Sequence, residues 1–113
     1  MSLNSKRKGK EFELIACKKL SELLGVSFER SQQYCGKAGD ADVVGLDGLH
    51  IECKAVENLN VYKAYEQAES DCKAEDIPVV VFKKNRKPIM ICFELDDLVD
   101  LAQLIHYLKE SQK

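Results

Sequence analysis

Two carboxylates and an amine, Asp42, Glu52 and Lys54, are the residues of this chain whose types and spacing are best suited to chemistry. Glu52-Cys53-Lys54 closes a short apolar run. Side chains two positions apart on a strand share a face, so a carboxylate and an ammonium would occupy positions that burial would otherwise give to apolar groups. Asp42 and Glu52 lie five positions before and five after Asp47, and Asp47-Gly48 is a hairpin-turn signal. The two acids are therefore expected to meet across a hairpin, with a bulge as the one feature able to alter the register. Together with the peptide carbonyl of Cys53 they would form a hard oxygen set suited to Mg2+ or Mn2+ rather than Zn2+. Lys54 would stand beside the ion, where an ammonium positions or activates water. This combination fits phosphodiester hydrolysis, in which an ion polarises a phosphoryl oxygen and acidifies water.

The competing reading is a surface salt-bridge cluster across a hairpin. The glycine-rich approach Gly36-Lys37-Ala38-Gly39-Asp40 and the hairpin spacing favour a site, with Lys37 as a candidate nucleic-acid contact. The Cys53 side chain should point to the opposite, packed face. His50 and His106 have no metal-ligand spacing, which leaves histidine-based schemes without support. His50 is read as an edge or surface histidine that joins the face of Glu52 if alternation is strict.

The elements that must position these groups follow from periodicity. Apolar residues at Phe12, Ile15, Ala16, Cys17, Leu20, Leu23 and Leu24 have helical spacing and stop at Gly25, with Ser5 a candidate cap. Val26 to Ser31 alternates as a short strand, Gln32 to Gly39 is a polar loop, and Ala41 to Leu46 pairs with Leu49 to Cys53 as the hairpin. Residues 61–75 are helix-compatible and rich in Ala, Glu and Gln. Ile77 to Phe82 reads as a buried central strand with its proline at the start, Ile89 to Phe93 as another strand. Leu95, Leu98, Val99, Ala102, Ile105 and Leu108 supply the stripe of a last helix. The order α-β-β-β-α-β-β-α predicts an α/β fold, a mixed sheet flanked by helices, with a right-handed crossover through residues 61–75.

The 113 residues suit one domain, with a core at about residues 8–93 and a final helix at about 94–110. With 45% hydrophobic and 32% charged residues, general disorder is excluded. No apolar run reaches the roughly 20 residues that span a bilayer, and no signal-peptide core follows the polar start, so a cytoplasmic protein without membrane contact is expected. Cys17, Cys35, Cys53, Cys72 and Cys92 form no CxxC pair, which speaks for reduced, mostly buried thiols. The formal charge of -2 conceals an asymmetry, because residues 94–113 carry five acids and two lysines and leave the first 93 at +1. Lys6, Arg7, Lys8 and Lys10, and again Lys83, Lys84, Arg86 and Lys87, are candidate phosphate contacts; solvated faces are the alternative.

Ala41-Asp42-Val43-Val44-Gly45 followed by Ile51-Glu52-Cys53-Lys54 resembles the PD-(D/E)XK nuclease superfamily, with Ala41 in place of its proline. Lys8-Gly9-Lys10-Glu11-Phe12-Glu13 resembles the first-helix motif of its Holliday junction resolvase branch, found in phage and archaea. The resemblance covers about residues 8 to 93 and implies a restriction-endonuclease-like sheet, with Asp42 and Glu52 as metal ligands and Lys54 as the catalytic lysine. It brings in Glu13 as a further ligand, with Glu11 the competing choice, since either acid also suits a first helical turn. Gln67 is implied near the phosphate or the metal-bound water, and Arg30 and Ser31 as substrate contacts. The implied activity is Mg2+-dependent cleavage of branched DNA, with repair or restriction-type cleavage of duplex or flap DNA, or DNA binding without cleavage, as alternatives. Two cuts across a symmetric junction need two sites, hence a homodimer.

Overall fold

Helix α1, Ser2–Leu24, opens the fold and is followed by β1 (Glu29–Arg30), β2 (Val43–Val44) and β3 (Leu49–Lys54). Helix α2 (Val61–Asp71) then leads to β4 (Ile77–Phe82) and β5 (Met90–Cys92), and a 3₁₀ turn at Leu95–Asp97 runs into α3 (Leu98–Ser111). The computed structural model describes residues 2–31 and 41–112, with side chains from residue 7 onward. The strands form one sheet in the order β1-β2-β3-β4-β5. Pairing is antiparallel except between β3 and β4, which are parallel and joined through α2. This is the mixed α/β, restriction-endonuclease-like architecture and element order that the sequence predicts.

Two cores sandwich the sheet. Ile51, Cys53, Val79 and Val81 pack with Phe12, Ala16 and Cys17 of α1, while Val80 packs with Ala64 and Ala68 of α2. Val79 and Val80, adjacent on β4, are both fully buried, one towards each helix, which is why this strand is apolar without alternation. The small residues Ala64 and Ala68 lie one helical turn apart and let α2 sit close to the sheet. Asn60 fixes its start, accepting the Lys63 N–H at 3.0 Å through its side chain.

Several boundaries differ from the sequence-based expectation, among them the end of α2 at Asp71 instead of residue 75 and β5 at Met90–Cys92 instead of Ile89–Phe93. Helix α1 starts at Ser2, so Ser5 lies inside it and is no cap. The first two strands shrink to two residues each, and the polar loop between them lies outside the described residues. The last helix buries Leu101, with Leu104, Ile105 and Leu108 half-buried, whereas Leu95, Leu98 and Val99 are exposed. Its second half is the docked part: Lys109 Nζ donates to the carbonyl of Leu23 at 3.0 Å and Gln112 Nε2 to that of Gly25 at 3.0 Å. Among the described residues no helix is long and apolar enough to cross a membrane.

Candidate active site

The hairpin that carries the two carboxylates turns at Leu46–Leu49, where the Leu49 N–H donates to the Leu46 carbonyl and Gly48 takes φ +95°. Farther along, Val43 is the partner of Ile51, yet the Asp42 N–H also donates to the Ile51 carbonyl, at 2.9 Å. Two residues of one strand thus address one of the other, the arrangement of a β-bulge, which takes Asp42 out of regular alternation and re-aims its side chain. Asp42 Oδ2 accepts the Cys53 N–H at 2.9 Å, which brings its carboxyl within interaction range of Glu52, the residue before Cys53. The expected meeting across the hairpin therefore occurs, by way of a bulge.

Strand β3 sets the other groups. Ile51 and Cys53 face α1, and the Cys53 side chain is packed as expected, its thiol pushed up by burial first and by the charges of Asp42 and Glu13 after it. His50, Glu52 and Lys54 consequently share the face towards α2. Glu52 is only 5% exposed and His50 4%, and His50 Nε2 lies 2.9 Å from Glu52 Oε1. His50 is therefore no surface histidine. Strict alternation from Glu52 was the signal that places it here. Lys54 Nζ reaches Gln67 Oε1 of α2 at 3.5 Å, the outer limit of a hydrogen bond.

The electrostatics identify Asp42 as the crowded group. Its carboxyl is raised to about 7, chiefly by burial, which outweighs the lowering effect of the Cys53 N–H; the charge of Glu52, the hydrogen bond with it and the charge of Glu13 add to the rise. A half-buried Asp42 whose carboxyl resists ionisation beside a second carboxylate is the donor chemistry a divalent cation relieves, so Asp42 and Glu52 fit a hard metal ion.

Glu13 is engaged by another group, although its charge reaches Asp42. It lies on α1 and accepts Arg30 Nε–H at Oε1, 2.8 Å away. Arg30 is opposite Val43 in the ladder and so shares the α1 face. Glu11 is exposed. Among the described residues, no three His, Cys, Asp or Glu side chains gather closely enough to hold a metal ion; each of the three carboxylates is engaged by a different protein group.

The basic candidates divide by position. The Lys83 N–H donates to the Lys54 carbonyl at 3.1 Å, so the turn carrying Lys84, Arg86 and Lys87 leaves β4 beside the carboxylate pair. Lys83 itself folds back on the carbonyl of Lys84 at 3.1 Å, and the Asn85 N–H on Glu57 Oε2 ties the turn down at 2.6 Å. Arg86 holds φ +65°, a conformation that side chains other than glycine rarely adopt. Sequence spacing alone had not placed this turn against Lys54. Arg7, Lys8 and Lys10 precede Glu13 on α1, with Arg7, Lys8 and Lys10 exposed. The Ser31 N–H donates to the carbonyl of Asp42 at 2.9 Å, a backbone role in the ladder. Lys37 and the side chain of Lys6 lie outside the described residues.

Comparison with known proteins agrees with this picture. The chain is similar in fold to Hjc, a Holliday junction resolvase from the archaeal hyperthermophile Archaeoglobus fulgidus, with a TM-score of 0.57 and 22% identity over 76% of this chain and 72% of that one. No curated protein matches it. The family described as phage putative PDDEXK endonuclease matches residues 4–111, nearly the whole sequence, and the chain belongs to that family of the PD-(D/E)XK nuclease superfamily.

Proposed function

We propose that this protein is a Mg2+-dependent endodeoxyribonuclease, with Mn2+ able to substitute, that cuts branched DNA and acts as a homodimer on four-way junctions in the cytoplasm. The observation that carries the reading is the Asp42 carboxyl held on the Cys53 N–H at 2.9 Å, between Glu52 and Lys54 of the same strand, with a basic turn bonded to the backbone of Lys54. Asp42, Glu52 and the Cys53 carbonyl would hold the ion, with Glu13 as a further ligand. A bound divalent cation supplies Lewis acidity towards the phosphodiester and its attacking water. Lys54 offsets the negative charge that develops on the phosphate, and Gln67 steadies the Lys54 ammonium from α2. Lys84, Arg86 and Lys87, with Arg7, Lys8 and Lys10 on the helix, take flanking phosphates; they contribute position rather than sequence readout. Residues 1–113 act as one nuclease domain.

A second reading, a binding protein that keeps the fold without cutting, draws on the lack of a three-ligand cluster among the described residues. One assay separates the two. Four-way junctions, flaps and linear duplexes of equal length are incubated with the protein and Mg2+ or Mn2+, and products are mapped on sequencing gels. Paired symmetric cuts in the junction, lost in Asp42→Asn and Glu52→Gln while junction binding persists, are expected. Binding without cuts under either ion transfers the assignment to the binding protein, and preference for flap or duplex transfers it to a repair or restriction-type nuclease.

A further inference from the structure

We propose that His50 is a positioning residue for the metal-facing carboxylate of Glu52, a role that rests on the nuclease reading above. The two side chains are the buried polar groups of β3, at 4% and 5% exposure, and their contact of 2.9 Å is shielded from water. They stand two apart on the central strand of the sheet, held by β2 on one side and by β4 on the other, with His50 opposite Pro78 and Glu52 opposite Val80. Neither backbone has room to drift, so the hydrogen bond fixes the Glu52 rotamer. A buried carboxylate without a donor carries a large desolvation cost, and the atom placed to donate to it is His50 Nε2.

The consequence is a division of labour within one carboxylate. Oε1 is committed to His50, which leaves Oε2 for the side shared with Asp42 and for a cation. Lys54, two positions beyond Glu52 on the same face, supplies charge, whereas His50 is placed to orient the carboxylate. Partners that orient a metal-ligating carboxylate in this way typically change metal affinity or activity by about 10- to 100-fold when removed.

The test uses Mn2+ as the probe and three variants. His50→Gln retains an N–H donor near the position of Nε2, His50→Asn keeps the amide but falls short of Glu52, and His50→Phe keeps bulk without a donor. Mn2+ binding is measured by electron paramagnetic resonance without DNA, alongside urea midpoints, junction affinity and single-turnover cleavage. The expected result is Mn2+ affinity within about threefold of the parent for His50→Gln and about tenfold or more weaker for His50→Asn and His50→Phe, with cleavage rate falling in step and junction affinity unchanged. Long-range 1H–15N spectra of the unsubstituted, metal-free protein are expected to show the proton on Nε2. An Nε2 without a proton overturns the proposal, as does unchanged Mn2+ affinity in His50→Asn, which remains decisive if His50→Phe fails to fold. Parent protein that binds Mn2+ and cleaves while all three variants match it defeats this inference alone; parent protein that binds no Mn2+ defeats the nuclease reading as well.

Discussion

Arg30 donates its Nε–H to Glu13 Oε1 at 2.8 Å, so a cation of the protein itself holds the helix carboxylate proposed as a further metal ligand. The pair is partly exposed, with side-chain accessibilities of 35% and 20%, and such contacts contribute about 0.5–1 kcal/mol. Arg30→Gln should therefore free Glu13 and raise Mn2+ affinity in the absence of DNA by roughly two- to fivefold, read by electron paramagnetic resonance. A drop in affinity would show that Arg30 supports the site instead of competing for Glu13.

Asp42 gives the metal-free protein a distinctive pH dependence. Its folded pKa of about 7 lies above the ordinary 3.8, mainly through burial. The native state keeps a proton that the unfolded chain has already released, so this group's contribution is complete below pH 3.8 and is lost as pH rises through about 7. Asp42→Asn, which keeps an acceptor for the Cys53 N–H, should gain stability over the parent progressively between those limits and level off above them. Urea midpoints in EDTA across this range check it, and a constant difference between variant and parent would remove the coupling.

How much of this was legible beforehand depends on the range of the interaction. The apolar run Ile77–Phe82 matches β4 residue for residue because burial on both faces is written into composition. The approach of Asp42 to Glu52 was readable from the symmetry about Asp47. The bulge was not, since it arises from a hydrogen bond of the Asp42 N–H to Ile51 that no side chain announces. Likewise Leu95, Leu98 and Val99 fit the period of the last helix yet are exposed, because only the packing of that helix on the rest of the fold decides that Leu101 is the buried member. The Glu13–Arg30 pairing joins residues 17 apart through two elements, beyond any local pattern.

Neutralising the basic turn should change DNA affinity in a way that reports phosphate contact. Lys84 and Arg86 are exposed, and the turn is bonded to the backbone of Lys54. Lys84→Gln and Arg86→Gln should each weaken junction binding across sequences and lower the slope of log affinity against log salt by about 0.9. Titrations at several salt concentrations on two unrelated junction sequences provide the check; an unchanged slope would assign both side chains to solvent.

Gly45 is where the hairpin meets the core most closely. A Cβ built there would lie 2.5 Å from Phe28 Cδ2, 2.6 Å from Phe28 Cγ and 2.9 Å from the Ser27 carbonyl oxygen. Phe28 is 5% exposed and packed in the α1-side core, so its ring cannot swing into solvent without losing burial, and the Ser27 oxygen is backbone. Relief must come from moving the hairpin, whose register through Val43 and Ile51 sets Asp42 against Glu52. Gly45→Ala should thus destabilise the protein by about 1–3 kcal/mol, the usual cost of overpacking, and weaken Mn2+ binding although the substitution touches no candidate ligand. Chemical denaturation and Mn2+ titration measured together test this, and loss of stability with metal affinity intact would show that the core and the carboxylate pair are not coupled through the hairpin.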